Sequence, residues 1–167
     1  MDIFLNQLSN SDIQWLKQNG HSQLIKSGNI AIEPARAPDF FYLLIRGELV
    51  GSISQNQGGR LGQAFAALEE DVDLEQEIVR FTPGDVLGNI PAVELTAAAM
   101  TIRAAENSTL LAVSCDALRT KIEADVGFAA RFYRAIAMLL LERFSRLVQY
   151  FLRPKMGQAQ PLQDVPL

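Results

Sequence analysis

The chain reads as an α+β domain: a double-stranded β-helix (jelly-roll) barrel flanked by an N-terminal helix and two C-terminal helices. Three observations predict this. Short runs rich in Ile, Val, Phe, Tyr and Leu recur from Gln23 to Val113, punctuated by glycine and proline. Helical spacing brackets them at both ends. Strands followed by helices mark the α+β class, and many short strands with Gly/Pro turns mark a barrel or jelly roll.

In chain order, Ser11 and Gln14 have capping-box spacing, and Ile13, Trp15 and Leu16 precede Gly20, a natural helix stop. Consecutive strands follow from Gln23 to Ser54, with Arg46-Gly47-Glu48 as a tight turn between Phe40–Ile45 and Leu49–Ser54. Residues 55–73 are polar at first and then include Ala64–Glu70, which reads as a short helix, so the stretch is expected to be an inserted loop. Strands resume at Glu75–Phe81, Thr82-Pro83-Gly84-Asp85 turns the chain, and Ala99–Ala104 and Thr109–Val113 add two more. Ala117, Leu118 and Ile122 then recur at helical spacing, and Asp125 is placed to cap a last helix from Val126 to about Phe151. One domain, 1–153, is expected, with 154–167 as a proline-bearing flexible tail.

Composition narrows the function. The 49% of hydrophobic and 20% of charged residues suit a folded globular chain. A net charge of -4 disfavours a broad surface for phosphate backbones, whose nonspecific affinity comes from Lys and Arg. The single cysteine, Cys115, excludes an intramolecular disulfide, reads as a helix-start residue and fits a reducing cytoplasm. Ala135–Leu141, the longest strongly apolar run, is far shorter than the roughly 20 residues of a membrane span, and the N-terminus lacks a signal-peptide pattern. A cytoplasmic protein without membrane insertion is the expectation.

The segment Phe81-Thr82-Pro83-Gly84-Asp85-Val86-Leu87-Gly88-Asn89-Ile90, with Thr101-Ile102-Arg103-Ala104 further on, resembles the cyclic-nucleotide-binding domains of bacterial regulators and kinase regulatory subunits. Phe41–Leu49 is similar to that family's strand-glycine-strand hairpin, and Asp125–Ala135 to its barrel-following helix. The resemblance covers roughly residues 9 to 152 and implies a cassette that holds the cyclic phosphate. In the family a Gly-Glu pair opens the cassette and an arginine closes it. Backbone N–H groups at a helix N-terminus cradle the phosphate, the arginine pairs with its charge and the glutamate accepts from the ribose hydroxyl.

Laid over this chain, the cassette positions are Gly88, Asn89, Ile90, Ala98, Ala99 and Thr101. Gly88 keeps the glycine, Asn89 replaces the glutamate and Ala98 replaces the arginine. Breaking a buried hydrogen-bonded charge pair costs about 2–5 kcal/mol. At about 1.4 kcal/mol per decade, that is a loss of roughly 30-fold to several thousandfold in affinity. Arg103 lies an odd number of positions beyond Ala98, which puts it on the other face of a regular strand, and Arg60 belongs to the inserted loop.

Other chemistry has little support. His21, the sole histidine, follows the opening helix in a turn-like context, so neither a catalytic role nor a histidine-rich metal site is expected. Glu69-Glu70-Asp71 and Asp73 read as a solvated loop. Too little chain follows Phe151 for a DNA-reading helix-turn-helix, so direct DNA binding is not expected.

On the last helix, Phe128, Phe132, Ile136, Leu140, Phe144 and Leu147 form an apolar stripe that Leu139 and Phe151 extend and that Tyr133, Ala137, Leu141 and Val148 widen. One barrel face needs only one stripe, so the surplus points to a homodimer. The expectation is a non-enzymatic regulatory or ligand-sensing module, needing no cofactor or metal, that takes cAMP or cGMP weakly or not at all and passes its output to a separate protein. A cyclic-nucleotide sensor with altered contacts and a receptor for another small molecule are the alternatives.

Overall fold

The computed structural model describes residues 3–33, 39–54, 75–88, 90 and 100–152. The inserted loop at 55–73 and the tail at 154–167 lie outside them.

A 3-10 turn, Leu5–Gln7, leads into helix α1, Asn10–Asn19. Ser9 caps this helix: its Oγ accepts the Asp12 N–H at 3.2 Å, and the Asp12 carboxylate accepts the Ser9 N–H at 2.8 Å. The capping box therefore sits two residues before the expected Ser11–Gln14 pair. Asp12 prevails because its carboxylate is also held from outside the helix, by Arg131. Gly20 ends the helix as expected, yet its φ of -105° is extended and sends the chain straight into a strand.

Among the described residues eight strands follow: β1 Gly20–Ile25, β2 Ile30–Ile32, β3 Phe40–Arg46, β4 Leu49–Ser54, β5 Glu75–Phe81, β6 Val86–Gly88, β7 Thr101–Ala104 and β8 Ser108–Ser114. They form two four-stranded sheets in the orders β1-β8-β3-β6 and β2-β7-β4-β5, and every pairing is antiparallel. This is the jelly-roll barrel with flanking helices that the strand pattern predicts.

One expectation is corrected. The turn at Gly47 does lie between β3 and β4, but the two strands do not pair as a hairpin: β3 belongs to the first sheet and β4 to the second. The turn carries the chain across the barrel. Gly47 has φ +90°, and a Cβ there would come within 2.7 Å of the Ser108 Cα, so both conformation and space demand glycine.

Alternation along the first sheet builds two cores. Phe41 and Leu43 of β3, Val86 of β6 and Val113 of β8 pack outward with Phe4, Leu16, Leu118, Phe128 and Phe132. Tyr42, Leu44, Leu87, Leu110 and Ala112 point the other way and meet Ile32, Leu49, Phe81 and Ile102 inside the barrel. The middle of this sheet, apolar on both faces, is thereby buried on both.

Helices α2, Cys115–Ala124, and α3, Val126–Leu152, close the fold. Cys115 is the buried first residue of α2, as a helix-start reading requires. Asp125 caps α3, its Oδ1 accepting the Phe128 N–H at 2.9 Å. Arg131 of α3 ties the helix to α1, donating to the two carboxylate oxygens of Asp12 at 2.6 and 2.9 Å. Among the described residues no helix is long and apolar enough to cross a membrane.

Candidate functional site at the barrel mouth

Gly88 ends β6 opposite Phe41, with φ +87°. A Cβ at this position would overlap the Phe40 carbonyl oxygen and come 2.9 Å from the Tyr42 ring. The backbone of the cassette glycine is thus pressed onto β3, and any side chain would push it away.

A cleft of about 290 Å³ opens beside Phe40 and Tyr42, lined also by Ile30, Ala31, Ile32, Glu33 and Asp39. Its aromatic wall continues outward, because the Phe40 ring lies 6.1 Å from Tyr42 and 5.4 Å, edge to face, from His21. Burial pushes the Tyr42 phenol above its ordinary pKa, and negative charge at Cys115 and Asp39 acts in the same direction. Tyr42 therefore stays neutral and can donate a hydrogen bond. Two carboxylates and a neutral phenol make this cleft hospitable to polar or cationic groups and unfavourable for a bare phosphate.

The cassette positions disperse. Gly88 lies at the mouth, whereas Ile90 packs against the core beneath the helices. Thr101 alternates with the inward-facing Ile102 and so points out of the barrel. Strand alternation and helix packing thus set Ile90 and Thr101 apart from Gly88. Asn89, Ala98 and Ala99 lie outside the described residues, as does Arg60. Arg103 is on the outer face, where Nη1 donates to the Gly28 carbonyl at 2.7 Å.

Tyr42, Phe40, Glu33 and Asp39 were not among the sequence-derived candidates. The signal available was a tyrosine in step with Leu44, opposite in phase to Phe41 and Leu43. The segment before Gly88 is fastened to the last helix. Arg143 of α3 donates to the Val86 carbonyl at 3.1 Å, pairs with Asp85 at 3.2 Å and lies 5.0 Å over the Phe81 ring.

The apolar stripe on α3 divides in two. Phe128, Phe132 and Ile136 are buried in the protein's own core. Leu140 and Phe144 remain 55% and 63% exposed, joined by Met138 and Leu141. The side chain of Leu147 lies outside the described residues.

No family model and no curated protein matches the chain. Solved structures do. A cyclic nucleotide-binding domain from Methylobacillus flagellatus aligns with TM-score 0.70 at 15% identity, over 92% of this chain and 78% of that one. The catabolite activator protein of Thermus thermophilus aligns with TM-score 0.64 at 15% identity, over 89% of this chain, which spans 61% of that protein. A CooA variant from Carboxydothermus hydrogenoformans gives 0.58 at 14%, over 90% and 86% of the two chains. These likenesses show the fold: the chain has the fold of the cyclic-nucleotide-binding domains.

Proposed function

We infer that this chain is a non-enzymatic regulatory module that keeps the outline of a cyclic-phosphate cradle without the groups that grip cAMP or cGMP. The observation that carries the reading is the cleft beside Phe40 and Tyr42, whose lining includes Glu33 and Asp39 and, among the described residues, no Lys or Arg. Sequence adds the exchange of glutamate for Asn89 and of arginine for Ala98. The exposed strip of Leu140, Leu141 and Phe144 supports dimerisation through α3.

Calorimetric titration with cAMP, cGMP and a cyclic dinucleotide tests this. The reading expects no saturable heat at micromolar concentrations. Micromolar or tighter binding that Gly88→Val abolishes would overturn it. The retained geometry of Gly88 favours one second reading, a sensor that holds a cyclic nucleotide through other contacts, and that same result would establish it.

A further inference from the structure

The outer face of the first sheet carries a second, unrelated feature at the end of β3. Leu44 pairs with Leu110 and Arg46 with Thr109, so the register slips and Ile45 is the extra residue of a β-bulge. A bulge sets two consecutive side chains against one partner, and bulges often re-aim side chains at functional sites. Ile45 lines an apolar cleft of about 270 Å³ with Leu5, Ile13, Leu43 and Leu111. Arg46 lines an adjoining polar cleft of about 520 Å³ with Leu24, Glu106 and Asn107. The two clefts meet at Thr109, which lines both. Leu24 and Ile45, at 64% and 44% exposure, border the junction.

Burying either apolar side chain is worth roughly 1.5–3 kcal/mol, so leaving two at one junction marks a surface built for contact. Arg46 forms no ion pair among the described residues, whereas Arg80, Arg119, Arg131, Arg143 and Arg146 all do. Asn107 is already engaged, its Oδ1 accepting the Ser27 N–H at 3.0 Å. An apolar cleft that adjoins one carrying the Arg46 guanidinium, without an ion pair among the described residues, is complementary to a chain with an anionic head. Lys17, in the apolar cleft, adds a second positive charge, while Glu106, which lines the polar one, opposes it.

We propose that these joined clefts bind a single-chain fatty acid, its alkyl chain along Ile45, Leu43 and Leu111 and its carboxylate on Arg46. The site lies on the opposite side of the first sheet from the barrel interior. A cyclic-nucleotide titration therefore neither supports nor undermines it.

The test is titration of the full chain, by calorimetry and amide chemical shifts, with decanoate, decanol and decyltrimethylammonium. Decanoate is expected to saturate one site, with shifts centred on Ile45, Arg46 and Thr109, at least about tenfold tighter than the other two. Arg46→Gln should erase that preference, Glu106→Gln should tighten decanoate, and Ile45→Ser should weaken decanoate and decanol alike. These residues are exposed or at a strand end, and matching melting temperatures would confirm folded variants. Absence of saturable binding, equal binding of the trimethylammonium, indifference to Arg46→Gln, or shifts centred on α3 would each overturn the proposal.

Discussion

Asp12 shows how one side chain can do several jobs. It closes the capping box of α1, and at 3% exposure it receives both donors of Arg131, a residue 119 positions later. The hydrogen bond from Arg131 outweighs the opposing effect of burial, and those from Ser9 assist, so the Asp12 carboxyl is held well below the usual carboxylate range. The unfolded chain takes up this proton near the ordinary aspartate value of about 3.9. The pair therefore contributes its full stabilisation above that value and loses it as pH falls through the lower folded-state value. Urea unfolding of wild type and Asp12→Asn at about pH 6 and about pH 3 checks this: the gap between the two proteins should narrow at the lower pH. At neutral pH, Arg131→Met should cost about 1–3 kcal/mol, near the lower end because the guanidinium is 40% exposed.

At the scale of elements, α3 depends on its cap. Asp125→Ala removes the acceptor of the Phe128 N–H and should lower stability by about 1 kcal/mol, read as a shift in the urea midpoint at unchanged slope. That cap was legible in the sequence, because an aspartate directly precedes an apolar periodic run. Strand β5 was legible as well, its bounds Glu75–Phe81 set by β-rich residues ahead of a Thr-Pro-Gly-Asp turn. The partnering of β3 and β4 was not. A glycine turn between two apolar runs looks the same whether the strands pair or part into different sheets. The distinguishing hint is that both phases of β3 are apolar, which fits a strand covered on both faces better than one half of an exposed hairpin. The candidate site was legible only at Gly88. Tyr42 comes near it through the β3–β6 pairing, long-range geometry that local spacing does not encode.

At the scale of the whole molecule, two surfaces compete for explanation, the exposed strip of α3 and the paired clefts on the first sheet. A second copy on the α3 strip would remove Leu140, Leu141 and Phe144 from water, side chains worth roughly 1.5–3 kcal/mol each when fully buried. Sedimentation velocity should show a dimer that Phe144→Glu converts to a folded monomer, since an exposed residue changes monomer stability by only about 0.5 kcal/mol. A monomeric wild type would remove the dimer from the account and leave the barrel reading standing.

The central claim is that the cradle persists while its cation and its acid do not, and restoring both groups tests it most directly. The double variant Asn89→Glu/Ala98→Arg, titrated calorimetrically with cAMP beside the wild type, should acquire saturable binding at least about 30-fold tighter than the parent. A folded double variant that takes up no more cAMP than the parent, or a parent that already binds it tightly, would contradict the account.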